Sequence, residues 1–339
     1  MIVRTLCEAK QLSGVSHCRI PGVVVTAKGT LLTVCEARNA VSDWAGIDLA
    51  LLRSEDRGAT WEEPRVVVSG IATRKTVNNP VLFARPDGVV LLLYCEEYGL
   101  VGRGGVYCCE SADDGKTWSA ARDITAQTAP EMRNVFALGP GHGICRASGE
   151  LCVPVWLVSK LAGAAEDSHH PAEVHLFSSA DGGRTWQLSP KIPDGGIHDP
   201  NETSAAELAD GTILLNIRAA DLGCRAQTWG DGTCFSPMER TDALVDPTCF
   251  GSIASANVAG KDCVLFVNCA DATARRNLTL RVSCDGGHTW PKQKTICEGV
   301  AGYADLAVDA DGTAYVVFED DDSFATLRVA TIHREEWFA

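Results

Sequence analysis

One eight-residue pattern, Ser-x-Asp-x-Gly-x-Thr-Trp, occurs four times in this chain and constrains its fold more than any other feature. The copies are SEDRGATW from Ser54, SADDGKTW from Ser111, SADGGRTW from Ser179 and SCDGGHTW from Ser283. In such a turn the Asp side chain accepts backbone N–H bonds, Gly supplies a positive φ, and Thr and Trp begin the returning strand. The pattern therefore predicts four β-hairpin turns with a structural rather than a catalytic role.

The spacing of the repeats predicts how many units the chain contains. Asp56, Asp113, Asp181 and Asp285 are separated by 57, 68 and 104 residues, and the last gap equals two periods of 52. One copy has therefore decayed, and AQTWGDGTCF (226–235) stands at its expected place with a Trp and an Asp-Gly turn. A length of 339 residues and a period of about 56 give six units.

A second repeat, a turn followed by a β-rich run, also occurs six times. Its copies are KGTLLTV from Lys28, DGVVLLLY from Asp87, SGELCVPV from Ser148, DGTILLNI from Asp210, GKDCVLFV from Gly260 and DGTAYVVF from Asp311. Each copy predicts a buried strand entered through a hairpin. Together the two repeats predict an all-β fold, a six-bladed β-propeller that forms a single domain over residues 1–339. A β-sandwich or a parallel β-helix remains the alternative.

Composition and charge exclude several classes of protein. With 45% apolar residues the chain can bury a large core, and no apolar run approaches the ~20 residues of a membrane span. The net charge of −14 has the wrong sign for binding nucleic acid. The 15 cysteines are irregularly spaced, without a CxxC pair, and the start of the chain shows no secretory signal. We therefore expect free thiols, a cytoplasmic location and no metal or other cofactor, with a secreted protein that contains disulfides as the alternative; the oligomeric state stays open.

Charged residues end several of the apolar runs. Arg218 and Glu319 each lie seven residues after a turn glycine, and Arg38 ends the first run. In a propeller these strand ends converge on one pole around the axis. Buried charges are costly unless they are paired or bind something, so this pole is expected to form an anion pocket. Exposed strand ends that make surface ion pairs are the alternative.

These features together resemble the exo-α-sialidases (neuraminidases) of bacterial and animal type. Members of that family are six-bladed propellers with the same Ser-x-Asp-x-Gly-x-Thr-Trp repeats, which are called Asp-boxes. The resemblance spans the chain from about Arg19 to Glu319. CRIPGVVV resembles the Arg-Ile-Pro signature of that family, which makes Arg19 the first of three arginines that bind the carboxylate of sialic acid. EARNAVSDWAGIDLALLRSEDRGATW places Arg38 in the pocket and makes Asp43 the acid/base carboxylate. Asp48 is the competing residue for that role, although its place in the following strand suits a structural one.

Two further segments supply the other arginines in this resemblance. NETSAAELADGTILLNIR makes Glu202 the carboxylate that partners the nucleophile and Arg218 the second triad arginine, with Glu207 as a structural residue. RRNLTLRVSCDGGHTW provides the third arginine, for which Arg275 aligns best and Arg276 is the alternative.

The last segment supplies the nucleophile. GYADLAV resembles the Tyr-Ser-Asp-Leu of the family and makes Tyr303 the nucleophile, and Glu319 would hold Arg19 in place. A neutral tyrosine suits this role because a carboxylate nucleophile would face the carboxylate of the substrate. The resemblance thus implies retaining hydrolysis of terminal α-linked sialic acids from glycoconjugates or oligosaccharides.

Other functions and contacts stay open. A non-catalytic Asp-box propeller that binds a glycan or a protein is one alternative. A trans-sialidase, an intramolecular trans-sialidase or a hydrolase of a related nonulosonic acid is another. His169 and His170 are candidates for the rim of the pocket, and Trp44 and Trp229 are candidates for its wall.

Overall fold

The computed structural model describes residues 1–97, 104–160, 169–220 and 222–338, which form almost entirely β-structure. The first strands are β1 (Ile2–Glu8), β2 (His17–Val25), β3 (Leu31–Arg38), β4 (Ile47–Ser54), β5 (Arg65–Val68), β6 (Val77–Ala84), β7 (Val90–Glu96), β8 (Gly105–Ser111) and β9 (Arg122–Asp123). They are followed by β10 (Arg133–Leu138), β11 (Gly141–His142), β12 (Ile144–Cys145), β13 (Leu151–Ser159), β14 (Glu173–Ser179), β15 (Gln187–Leu188), β16 (Pro200–Glu207), β17 (Ile213–Ala219) and β18 (Cys224–Gly230). The last are β19 (Glu239–Val245), β20 (Ser252–Val258), β21 (Lys261–Cys269), β22 (Arg276–Ser283), β23 (Lys292–Val300), β24 (Ala304–Val308), β25 (Ala314–Glu319) and β26 (Thr326–Ile332). Short 3₁₀ helices span Ala9–Gln11, Thr125–Gln127 and Arg334–Glu336.

These strands form six sheets, which are the six blades of a β-propeller. Blade 1 contains β2 to β5, blade 2 contains β6 to β9 with β11, and blade 3 contains β10 and β12 to β15. Blade 4 contains β16 to β19 and blade 5 contains β20 to β23. Blade 6 combines β24, β25 and β26 with β1, so a strand from the start of the chain closes the ring. The predicted six-bladed fold is confirmed.

The six apolar runs form the second strand of each blade, namely β3, β7, β13, β17, β21 and β25. Every residue of β3 is buried, because neighbouring blades cover both faces of the sheet. A cluster between blades 1 and 6, for example, packs Ala50 and Leu52 against Val317 and Leu327. The helices of the described residues are too short to cross a membrane.

Each of the four Asp-boxes forms the hairpin between the third and fourth strands of its blade. In blade 1 the Asp56 carboxylate accepts hydrogen bonds from Ser54 Oγ, the Thr60 backbone N–H and Thr60 Oγ1 at 2.6–2.8 Å. Ser54 Oγ in turn accepts the Gly58 N–H at 2.8 Å. The bonds from Thr60 lower the pKa of Asp56 to about 2. Trp61 packs on the cluster between blades 1 and 6.

The decayed copy forms a simpler turn between β18 and β19. Among the described residues, Asp231 accepts only the backbone N–H groups of Thr233 and Cys234, both at 2.8 Å, and Gly230 bridges to Phe235. Blade 6 has no corresponding hairpin because its outer strand, β1, arrives from the other end of the chain. The number of boxes and the number of blades therefore differ.

A buried cluster of polar groups around Asp305 connects blades 1, 2, 5 and 6 near the axis. Asp305 of blade 6 accepts the Val23 N–H of blade 1 at 2.8 Å and the Ser252 hydroxyl of blade 5 at 2.5 Å. His142, on β11 of blade 2, lies 2.8 Å from the same carboxylate through Nδ1. Gly141 has a φ of +100°, and a Cβ there would lie 2.9 Å from the Asp305 carboxyl group, so the close approach requires glycine.

Candidate active site

A polar pocket of about 270 Å³ opens at the pole where strands β3 and β17 end. Seven of the eight predicted site residues line it, and the eighth, Glu319, lies directly beneath at zero exposure. The seven are Arg19, Arg38, Asp43, Glu202, Arg218, Arg275 and Tyr303. Residues separated by up to 284 positions in the chain therefore meet at one point. Blades 1, 4, 5 and 6 each contribute residues near one end of a strand or in an adjoining loop.

Tyr303 lies at the centre of this pocket, just before β24. Its hydroxyl group donates to the Glu202 carboxylate, 2.8 Å from Oε1 and 2.7 Å from Oε2, and accepts a hydrogen bond from Arg218 Nη1 at 2.6 Å. Burial raises the pKa of Tyr303 well above its ordinary value, although Arg218 opposes the shift. Tyr303 is thus a neutral phenol in the resting protein, with a carboxylate placed to accept its proton.

Three guanidinium groups surround the Tyr303 ring. The Cζ atoms of Arg19, Arg218 and Arg275 lie 5.6, 5.9 and 5.4 Å from the ring centroid. Arg19 pairs with Glu319 and Arg218 pairs with Glu202, whereas Arg275 makes no ion pair with the described residues. The guanidinium of Arg275 is therefore available to an anionic ligand.

Arg275 and Arg276 have different surroundings. Arg275 lines the pocket, but Arg276 is exposed and donates from Nε to Asp271 at 2.6 Å. The sequence left open which of these two residues is the third arginine of the triad, and in the structure it is Arg275 that lies beside Tyr303.

Glu319 organises the floor of the pocket. Its carboxylate accepts Arg19 Nε at 3.1 Å and the backbone N–H groups of Ile20 and Tyr303 at 3.1 and 3.0 Å. A Cβ at Gly302 would lie 2.1 Å from Glu319 Oε2, so the residue before Tyr303 must be glycine. One buried carboxylate therefore fixes both the first arginine and the backbone of the tyrosine.

Asp43 and Asp48 occupy different environments. Asp43 lies at the pocket edge with 56% of its side chain exposed, and Arg38 Nη1 donates to its Oδ1 at 2.6 Å. The Asp48 Oδ1 instead accepts the backbone N–H groups of Gly70 and Ile71 at 2.7 and 2.8 Å. Asp48 thus holds a loop, and only Asp43 faces the pocket.

Several pocket residues have no role in the sequence analysis. Asn78, Asn79, Trp156 and Asn201 line the pocket, and Glu36 lies behind Arg38. The Asn-Asn-Pro that begins β6 and the Glu two residues before Arg38 were the available signals. Neither pattern by itself marks a site.

His169, a candidate for the rim, lines the pocket, whereas Trp44, a candidate for the wall, does not line it and contacts His169 instead. His169 packs between the rings of Trp44 and Trp156, with ring centroids 5.5 and 5.8 Å apart. His170 also lines the pocket and lies 2.6 Å from Asp199. Trp229 does not line it. It stacks on His288 at 4.7 Å and donates to Gly286, which belongs to the Asp-box of the next blade.

The fold and the site together define a six-bladed β-propeller with Asp-box turns and an arginine-rich pocket at one pole. Residues 61–316 match the family model described as BNR repeat-like domain, and the chain belongs to this family. It is 33% identical to a sialidase of Micromonospora viridifaciens over 90% of this chain and 29% identical to a sialidase of Bacteroides fragilis over 93%. The chain spans 50% and 62% of the lengths of these two relatives. Its structure is also similar to Hadza microbial sialidase Hz136, with a TM-score of 0.84, 26% identity, and coverage of 94% of this chain and 66% of the other.

Proposed function

We propose that this protein is an exo-α-sialidase, which hydrolyses terminal α-linked sialic acids with retention of configuration. The observation that carries the proposal is the convergence of three guanidinium groups on one buried tyrosine whose hydroxyl group is bonded to a carboxylate. The similarity to proteins named as sialidases supports it.

Binding follows from the arginines. Arg19, Arg218 and Arg275 clamp the carboxylate that sialic acid carries at its anomeric carbon. Planar guanidinium groups suit this task because they form bidentate, charge-assisted hydrogen bonds that lysine cannot form. Glu319 and Glu202 orient two of these arginines, and the unpaired Arg275 supplies charge for the substrate. The clamp holds the anomeric carbon beside the Tyr303 hydroxyl group.

The covalent step uses Tyr303 and Glu202. The phenol oxygen attacks the anomeric carbon while Glu202 takes the phenol proton, and the bond to the leaving oxygen breaks. Arg218 Nη1, already bonded to the phenol oxygen, stabilises the negative charge that develops there. The raised pKa of Tyr303 makes the nearby base necessary, since free phenolate is scarce near neutral pH.

Asp43 completes the cycle as the acid and then the base. It protonates the leaving glycosidic oxygen. It later removes a proton from the water that attacks the anomeric carbon, while the bond to the Tyr303 oxygen breaks and Glu202 returns its proton to the phenolate. Its exposed position at the pocket edge gives both the leaving group and water access to the carboxyl group.

The test compares release of 4-methylumbelliferone from its α-sialoside by wild type and Tyr303→Phe, with the sugar followed by NMR. We expect wild type to release the α-anomer first and Tyr303→Phe to lose at least ~100-fold in kcat with an unchanged fold. Equal rates in the two proteins would refute the nucleophile assignment. A 2,7-anhydro product would instead indicate an intramolecular trans-sialidase, and sugar binding without turnover would indicate a binding propeller.

The cytoplasmic location is a separate proposal and rests on the irregular spacing of the 15 cysteines. Immunolocalisation of the native protein in its own cells tests it. Antibody labelling outside the plasma membrane would refute a cytoplasmic location.

A further inference from the structure

The carboxyl group of Asp43 is held by one buried side chain. Asp43 is 56% exposed in the loop between β3 and β4, and Arg38 Nη1 donates to it at 2.6 Å. Within the described residues this is the only hydrogen bond to the Asp43 carboxylate. A general acid must lie within hydrogen-bond reach of the leaving oxygen, so the position of Arg38 sets the position of the acid.

Arg38 is in turn fixed by Glu36, two residues earlier on the same face of β3. Arg38 Nε donates to Glu36 Oε2 at 2.8 Å, and Nη2 donates to the same oxygen. These bonds use one edge of the guanidinium group and leave Nη1 for Asp43 and the Val41 carbonyl oxygen. Glu36 and Arg38 are 0% and 1% exposed, so water does not compete for the pair.

Glu36 is also tied to the neighbouring blades. Its Oε1 accepts the backbone N–H of Asn79 on β6 at 2.8 Å. Asn79 has a φ of +50°, which is uncommon outside glycine, and its Nδ2 donates to the Leu138 carbonyl oxygen of blade 3 at 2.8 Å. Surrounding contacts therefore hold Asn79 in a conformation that aims its N–H at Glu36.

We infer that Glu36 is a positioning residue for the acid step: it locks Arg38 and thereby holds the Asp43 carboxyl group at the pocket edge. The inference rests on the proposed function. Glu36 itself does not line the pocket, and it acts only through Arg38.

The substitution Glu36→Gln tests this inference. A glutamine offers one acceptor oxygen where Arg38 and the Asn79 N–H need two, so Arg38 loses its fixed position. Acid assistance matters most for a poor leaving group. We therefore expect kcat/KM to fall about 10- to 100-fold for sialyllactose but less than about 3-fold for the 4-methylumbelliferyl sialoside.

Glu207→Gln is the matched control. Glu207 also accepts an arginine and a backbone N–H, from Arg146 and Ala147, but lies away from the pocket. Its substitution should leave the ratio of the two rates unchanged. Glu36→Asp replaces Glu36→Gln in this test if Glu36→Gln does not fold. The shorter carboxylate cannot reach both Arg38 and the Asn79 N–H, so the ratio of the two rates should shift in the same direction.

Two kinetic results would overturn the inference. The first is an equal loss, or no loss, on both substrates. The second is a further loss when Glu36→Gln is added to Asp43→Asn, because a residue that acts through Asp43 has no effect once Asp43 is disabled.

A crystal structure of Glu36→Gln tests the role of Glu36 without a measurement of activity. We expect Arg38 to turn away from Asp43, and an unchanged 2.6 Å contact between them would overturn the inference. If wild type releases neither leaving group, the proposed function fails, and this structural comparison still tests the role of Glu36.

Discussion

At the scale of single residues, two adjacent arginines provide a matched test of the binding site. Arg275 faces Tyr303 without an ion-pair partner among the described residues, whereas Arg276 pairs with Asp271 at the surface. We expect Arg275→Ala to weaken binding of a sialic acid analogue about 10- to 100-fold, since a charge-assisted bond contributes ~1.5–3 kcal/mol. Isothermal titration calorimetry measures this. Arg276→Ala should bind the analogue like wild type. A larger loss of affinity in Arg276→Ala than in Arg275→Ala would show that Arg276 is the arginine that binds the carboxylate.

His142 gives a second residue-scale prediction, on stability against pH. Burial lowers the pKa of His142, but its pair with Asp305 more than offsets this, so the pKa lies above its ordinary value. A raised histidine pKa stabilises the fold fully below the unfolded pKa of ~6.5, and this stability is lost as pH rises through the folded pKa. The gap in unfolding free energy between wild type and His142→Gln should therefore narrow from pH 5.5 to pH 9.

Urea denaturation over that pH range provides the measurement. Exposed His198 offers the control, because His198→Gln should show little difference from wild type at any pH. A gap that widens with rising pH would show that His142 is neutral in the folded protein.

At the scale of elements, the complete and decayed turns should differ in their contribution to stability. Asp113 accepts hydrogen bonds from Ser111 and from the backbone and side chain of Thr117, and the bonds from Thr117 lower its pKa to about 2. In the part of the chain that the structure describes, Asp231 accepts only two backbone N–H groups. We expect Asp113→Ala to lower Tm by ~2–5 °C at pH 7 and Asp231→Ala to lower it less.

Low pH should remove the difference in Tm between Asp113→Ala and wild type. A depressed carboxyl pKa stabilises the fold above the unfolded pKa of ~3.9, and the effect is lost as pH falls towards 2. Melting curves of Asp113→Ala and wild type should therefore approach each other between pH 4 and pH 2. An equal Tm loss for Asp113→Ala and Asp231→Ala at pH 7 would contradict a special role for the complete box.

At the scale of the whole molecule, β1 closes the ring by pairing with β26. Leu6 and Cys7 of β1 are buried in the cluster between blades 1 and 6. Deletion of residues 1–8 exposes the edge of β26 and removes this packing, so we expect Tm to fall by more than ~10 °C in differential scanning calorimetry. Ile2→Ala, at an exposed position of the same strand, should have little effect. An unchanged Tm after the deletion would show that the ring is stable without its closing strand.

Periodicity made much of the fold predictable. The Asp-boxes and the six apolar runs are local patterns, each specified by residues close together in sequence, so the repeats predicted blade number and fold class. Arg38 and Arg218 were also predictable as pole residues, because each ends a strand of one repeat. The resemblance to sialidases supplied the catalytic role of Tyr303, which no local pattern assigns.

The repeats, the number of blades and the charged residues at one pole therefore follow from the amino-acid sequence. The folded structure adds that Arg275 rather than Arg276 faces Tyr303, that β1 closes blade 6, and that Glu36 lies behind Arg38. Distance along the chain explains this difference. A hairpin is specified by neighbours in sequence, whereas the contact between Arg19 and Glu319 joins residues 300 positions apart and exists only once the ring has closed.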